Sequence, residues 1–327
     1  MTRVLFIGGT GIISTACSAR AVEKGLELTL LNRGATSLRP VTEGAEVVHA
    51  DIRDPDSVRS ALGSRDFDVV VNFIAFLPEH VQTDLDLFRH RTGQYVFISS
   101  ASAYQKPPSR LPIVESTPLR NPFWEYSRNK IACEDMLVRA YREDGFPATI
   151  VRPSSTYDPT LIPLPGGWTE IDRMRRGQLV VVQGDGTSLW VLTHHTDFAK
   201  GFVGLLGHPQ AIGDSFHITS DEVLTWNQIY EAMAAAAGVE ARLVHVASET
   251  IQAADPELGA GLLGDRTHSA IFDNSKVKAL VPDFVATVPF WAGAREIVDW
   301  YEAHPEQQTV DDARNALFDD LIAARRR

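Results

Sequence analysis

The chain has 327 residues, 44% of them hydrophobic and 22% charged, and a formal net charge of −11. That is the composition of a globular protein with a sizeable core, and its charge opposes binding to a polyanion, so no nucleic-acid partner is expected. No apolar run approaches the ~20 residues of a spanning helix, and no cleavable apolar segment precedes the strand at Val4. Cys17 and Cys133 match neither a metal-ligand spacing nor a disulfide framework. These features predict a cytoplasmic protein with reduced cysteines and no membrane partner.

Taken in chain order, "VLFIG" reads as a buried strand, followed by a helix from Ile12 to Lys24 with Ile12, Ala16, Ala19 and Val22 on one stripe. "LELTLLN", "AEVVHA", "DVVVNFIA", "QYVFISS" and "ATIVRPS" are five further strands, with helices between several of them, notably Trp124 to Glu143. Short Val-, Ile- and Leu-rich runs alternating with helices predict an α/β fold, a doubly wound parallel sheet (Rossmann) covered on both faces. After Arg152 the Pro- and Gly-rich "PSSTYDPTLIPLPGGW" breaks the repeat. "FHITS" and "RLVHV" are later strands, and Trp226–Ala237 and Ala292–Tyr301 later helices. The expected division is a dinucleotide-binding domain over 1–158 and a mainly substrate-binding, smaller α/β domain over 159–327. A segment near 190–220 returns to the first sheet. "RMRR" at Arg173–Arg176 reads as a solvated loop and "RRR" at Arg325–Arg327 as a frayed helix end.

The turn after the first strand carries Gly8 and Gly11, with Ser14 where a third glycine would fall. In a strand–turn–helix unit the first glycine permits a tight turn and the second lets the backbone approach a pyrophosphate. The third position sets how closely the helix packs on the strand. The helix opening at Ile12 offers unpaired N–H groups and a favourable dipole to phosphates. Beyond the second strand, where NAD-binding sheets place an acid on the ribose 2′-hydroxyl, stand Asn32 and Arg33. A cation there suits a 2′-phosphate, so NADP(H) is favoured, with NAD(H) as the alternative. Asp51, followed by Ile52, is placed either to accept from an adenine amino group or to cap a helix.

"YSRNK" sets Tyr126 and Lys130 four apart on one helical face. A tyrosine with a pKa of ~10 becomes a usable acid–base group when a neighbouring ammonium stabilises its phenolate. "YVFISSASAY" brings Ser99, Ser100 and Ser102 to the C-terminal end of the fifth strand, the edge where open α/β sheets bind ligands.

With these residues in place the chain resembles the extended short-chain dehydrogenase/reductase superfamily, in its NAD(P)-dependent epimerase/dehydratase group. The resemblance rests on "GGTGIIS", "ADIRD", "VFISSASAY", "YSRNK", "VRPSSTYDP", "GDGTSLWVLTHHTDFA" and "FDNSK", in that order along nearly the whole chain. It implies Ser100, Tyr126 and Lys130 as the catalytic set. Tyr126 would move the proton, Lys130 would hold the nicotinamide ribose and depress the tyrosine pKa, and Ser100 would polarise the substrate oxygen. It further implies Asn72 to Ala75 beside the adenosine ribose and pyrophosphate, and Pro153, Ser154 and Ser155 beside the nicotinamide.

Two departures qualify the resemblance. Ala101 and Ser102 stand where sugar 4,6-dehydratases carry Asp-Glu, and Asp158 replaces the glycine of the usual Tyr-Gly-Pro. His194, His195 and Asp197 read as structural, and Trp168, Trp190 and His268 as candidates for the substrate cleft. Met136, Leu137 and Ala140 would serve either the core or the helical face through which family members dimerise. No metalloprotease, zinc, P-loop or α/β-hydrolase motif is present. The expectation is an NAD(P)-dependent oxidoreductase acting on a small or sugar-derived carbonyl. A sugar-nucleotide epimerase with tightly bound NAD is the alternative, and an RNA-binding or dinucleotide-sensing relative is disfavoured.

Overall fold

A computed structural model describes residues 1–34 and 38–325 of the chain. At its centre β1 (Arg3–Ile7), β2 (Glu27–Asn32), β3 (Glu46–His49), β4 (Phe67–Asn72), β5 (Thr92–Ile98) and β6 (Ala148–Pro153) form a parallel sheet. A seventh strand, β7 (Ser215–Ile218), pairs in parallel with β6 after the chain has crossed the second half of the molecule. The spatial order is β7-β6-β5-β4-β1-β2-β3, so the winding reverses between β1 and β4. A crevice at the carboxyl ends of the strands opens at such a reversal.

The strands are buried on both faces because their side chains alternate between two cores. Val4, Phe6, Leu30 and Val71 pack on one side beneath α1 (Ile12–Glu23) and the helix His195–Gly204. Leu5, Ile7, Val70 and Phe97 pack on the other with α2 (Pro55–Leu62), α3 (Pro78–Phe88) and α4 (Glu125–Asp144). Cys17 and Cys133 are free and buried in these opposite cores. Leu137 and Ala140 are buried in the second core and Met136 packs against it, so these three side chains serve the core.

The expected apolar stripe of α1 is displaced. Its buried residues are Ser14, Ala16, Cys17, Ser18 and Ala21, while Ala19 is exposed. Small side chains rather than large apolar ones set this face, because α1 runs close against the helix His195–Gly204.

Beyond β6 a third core gathers Trp190, Trp226, Tyr230 and Phe290. Leu179–Gln183 pairs in parallel with Arg242–Val246, and Ser155–Tyr157 with Leu192–His194. "RMRR" is not a solvated loop. Arg173 lies buried on the helix Trp168–Arg175, donating to Asn315 and Asp319 of the last helix, Asp312–Arg325. Arg326 and Arg327 lie outside the described residues. Among the described residues, no helix is long and apolar enough to cross a membrane.

Candidate active site

The crevice holds two cavities. The first, of about 620 Å³, is lined by Gly8, Gly11, Asn32, Arg33, Asp51 and Ile52 among others. Gly8 turns the chain out of β1 at φ +87°, and a Cβ there would lie 2.6 Å from Ile74 Cγ2. Gly11 caps α1 and its N–H donates to Ser14 Oγ at 2.7 Å. Ser14 thus adds a buried hydroxyl where a third glycine would only have allowed close packing. Ile12 is the first helical residue, so its N–H has no acceptor within the helix.

Asn32 Oδ1 accepts from the Gly34 N–H at 3.1 Å, which fixes the exit from β2. The Arg33 side chain is 70% exposed and its only ionic partner among the described residues is Asp51, at 3.9 Å. Asp51 Oδ1 accepts from the Arg53 N–H at 2.9 Å, a local turn that leaves Oδ2 toward Arg33. Two further arginines line this cavity, Arg53 within "ADIRD" and Arg39 outside every motif. Arg53 donates to the Ile74 carbonyl, and Arg39 is bound to Asp158 and Thr160.

Asn72 and Ala75 do not line the cavity; Ile74 and Phe76 do. Asn72 is wholly buried, its Nδ2 donating to Asp84 at 2.6 Å and its Oδ1 accepting from the Ile74 N–H at 2.8 Å. Ala75 presents its carbonyl to Lys130 Nζ at 2.7 Å. The chain leaving β4 therefore turns these two residues inward and the other two toward the crevice.

The second cavity, of about 710 Å³, contains Ser100, Tyr126, Pro153 and Ser155 on its wall. The three serines after β5 separate by environment. Ser99 Oγ donates to Glu134, which forms a buried ion pair with Arg152 at 2.5 Å. Ser102 is buried and receives the Ser127 hydroxyl at 2.7 Å. Ser100 is the most accessible of the three, its Oγ 2.8 Å from Ser102 Oγ and accepting from the Ser102 N–H. Ser155 Oγ accepts from Trp190 Nε1 at 3.1 Å, which supports that wall from behind.

Tyr126 and Lys130 share one face of α4, with Nζ 5.8 Å from the centre of the tyrosine ring. Lys130 is buried and donates to the carbonyls of Ala75 and Ile98, both at 2.7 Å. Burial lowers its pKa to about 8. Burial also pushes the Tyr126 phenol up to about 12, against the Ser100 hydroxyl and with the added charge of Asp265. In this arrangement the Lys130 ammonium is turned to the two carbonyls, and burial dominates the shift of the phenol.

The other candidates resolve toward structure. Trp168 stacks on Tyr301 at 5.2 Å and Trp190 packs on Trp226 at 5.3 Å, both in the core beyond β6. His268 lies beside Phe123, and Trp124 is the aromatic residue beside Tyr126 in the cavity wall. His194 bonds Thr196 and Glu296, and Asp197 holds Lys200 and the N–H groups of Thr287 and Val288. Both tie elements together.

Residues 4–219 match the family model described as the NAD dependent epimerase/dehydratase family. A chloroplast stem-loop binding protein of 41 kDa from Arabidopsis thaliana is 27% identical over 74% of this chain and 65% of its own length. A UDP-glucose 4-epimerase from Lactobacillus helveticus is 30% identical over 46% of this chain and 50% of its own length. The chain thus spans less than two thirds of these two relatives. A 2'-dehydrokanamycin reductase from Streptomyces kanamyceticus is 25% identical over 86% of this chain and 80% of its own length. The fold is shared with UDP-glucose 4-epimerase from Bifidobacterium longum, solved in complex with NAD+ and UDP, at a TM-score of 0.71 and 18% identity, covering 94% of this chain and 100% of that one. Matched over residues 4–219, about two thirds of its length, the chain belongs to the NAD dependent epimerase/dehydratase family of enzymes.

Proposed function

We propose that the chain is an NADP(H)-favouring oxidoreductase that interconverts a carbonyl and a carbinol in a small or sugar-derived substrate. The observation that carries this reading is the wall shared by Ser100 and Tyr126 in the 710 Å³ cavity. The first cavity fits a dinucleotide: Ile12 opens a twelve-residue helix whose positive end and unpaired backbone N–H face suit a phosphate. Asp51 and Arg33 stand where the adenosine ribose and base would lie, and Arg33 is exposed and only weakly paired. The bound nicotinamide would supply or accept hydride.

Tyr126 gives a proton to, or takes one from, the substrate oxygen, and Ser100 donates to that same oxygen. A phenol held near 12 is protonated at neutral pH and is therefore competent as the acid in a reduction. Movement of the Lys130 ammonium off the Ala75 and Ile98 carbonyls would lower that value toward the working range.

The reductase reading is favoured by the 2'-dehydrokanamycin reductase, which aligns over most of both chains. Two UDP-glucose 4-epimerases that align over 46% of this chain, and a "Putative UDP-glucose 4-epimerase" that aligns over 60%, favour a second reading, an epimerase that retains NAD. RNA binding, suggested by the stem-loop binding relative, is opposed by the net charge of −11.

The test is NADPH consumption over a panel of ketones and keto-sugars by the chain and its Tyr126→Phe variant. Turnover by the chain that falls about 10²-fold or more in the variant supports the reading. Undiminished turnover in the variant overturns the role of Tyr126.

A further inference from the structure

Leu262–Arg266 forms a π-helical turn, an uncommon geometry that recurs at functional sites. It is docked onto the segment that leads into α4. Asn121 Nδ2 donates to the Gly264 carbonyl at 2.6 Å and to the Ser102 carbonyl at 2.9 Å. Asn121 Oδ1 accepts from the N–H groups of Phe123 and Trp124. A Cβ at Gly264 would sit 2.6 Å from Trp124 Cβ, so only glycine permits this approach. One buried amide thereby joins the turn, the end of the serine segment and the start of the helix bearing Tyr126.

The turn delivers Asp265 to the cavity that holds Ser100 and Tyr126. Asp265 Oδ1 lies 3.2 Å from Lys106 Nζ, whose side chain has no exposed surface. That ammonium has no well-aligned hydrogen bond of its own. An ammonium so buried is costly unless a carboxylate compensates it, and Asp265 is the carboxylate placed to do so. Among the described residues Asp265 Oδ2 accepts no hydrogen bond, and the side chain keeps 20% of its surface exposed. The result is a fixed acceptor with unused capacity in the substrate cavity.

We propose that Asp265 is a specificity-determining substrate contact, accepting a hydrogen bond from a hydroxyl or amino group carried close to the carbonyl carbon that meets Tyr126. The substrate class is then a hydroxylated or aminated ketone rather than a simple ketone or one with an anionic group at that place. This rests on the oxidoreductase reading given above. A site built around a buried polar group discriminates strongly, because an analogue lacking the donor leaves the carboxylate unpaired.

The experiment uses the full chain loaded with NADPH and paired probes of equal chain length. These are 1-hydroxy-2-ketones and 1-amino-2-ketones against the parent 2-ketones, with ketohexoses alongside. The expected result is a kcat/KM ratio of about 10² or more in favour of a donor-bearing probe, falling below about tenfold in Asp265→Asn and vanishing in Asp265→Leu. The Asn variant keeps the shape of the side chain and an oxygen for Lys106, and unfolding curves verify that it folds. Equal losses on both members of each pair would mark Asp265 as merely structural and overturn the proposal. So would a chain that binds NADPH yet reduces no donor-bearing probe. A chain that binds no dinucleotide removes the oxidoreductase reading itself, and this proposal with it.

Discussion

Arg39 and Asp158 form a half-buried ion pair at 2.5 Å that joins the loop after β2 to the loop after Tyr157. Arg39 also donates to Thr160, whose carbonyl accepts from the Tyr301 hydroxyl at 3.1 Å. A wall of the first cavity is thereby pinned to the second half of the chain, through the aspartate that replaces the family's glycine. Asp158→Gly leaves a half-buried guanidinium with Thr160 as its remaining partner and should cost on the order of 1–3 kcal/mol of stability. It should also weaken dinucleotide binding, since Arg39 lines the first cavity, which we propose holds the dinucleotide. Denaturant unfolding and a NADPH titration read the two effects. The double variant Arg39→Met/Asp158→Leu should recover most of the stability, because apolar replacement of a buried pair is often neutral.

The three serines after β5 should separate by assay. Ser100→Ala should lower turnover at a stability cost of about 1 kcal/mol, since its hydroxyl faces the cavity and also caps the short turn at Ser102. Ser99→Ala removes a buried donor from Glu134 and should cost roughly 1–3 kcal/mol, read by unfolding. A larger turnover loss from Ser99→Ala than from Ser100→Ala, at equal folded fraction, would reassign the polarising group.

Asp84 gives a pH signature. Burial raises its carboxyl to about 7, against hydrogen bonds from Tyr95 and Asn72 and the charge of Arg53. A carboxyl raised above its unfolded value of 3.8 binds its proton more tightly in the folded state. Its contribution to stability is fully present below pH ~4 and lost as the pH rises through about 7. The gap corresponds to on the order of 4 kcal/mol. Asp84→Asn should therefore gain stability relative to the unsubstituted chain as pH rises from 4 to 8. A pH-independent difference between the two unfolding curves would show that Asp84 stays ionised. Glu170, raised to about 7 by burial, titrates in the same window, so the comparison is between variants and not within one pH profile.

Arg33 should set cofactor choice. Arg33→Ser removes the exposed cation at the ribose end of the crevice and should reduce any preference for NADPH over NADH by about tenfold, as a 1.4 kcal/mol contact would. NADH binding should change little.

The sheet was legible in the sequence because strands buried on both faces read as continuous apolar runs, and six of the seven lie in regular alternation. The turn at Gly8 and Gly11 was legible for a related reason: backbone geometry there restricts side-chain choice. The α1 face was misread because close helix packing selected serine, cysteine and alanine over large apolar residues. Asn72 and Ala75 were placed on the crevice because a motif gives order along the chain and not which way each side chain turns. The Arg39–Asp158 pair spans 119 positions, and Lys106–Asp265 likewise depends on chain paths that no local spacing encodes.

The most direct test of the central assignment is a titration of freshly purified chain with NADPH and with NADH, alongside mass-spectrometric identification of any dinucleotide it releases. The expected outcome is a chain free of bound cofactor that binds NADPH at least about tenfold tighter than NADH. Stoichiometric release of NAD would contradict the NADP(H) assignment and put the epimerase reading first. Binding of neither dinucleotide would contradict the assignment of the crevice.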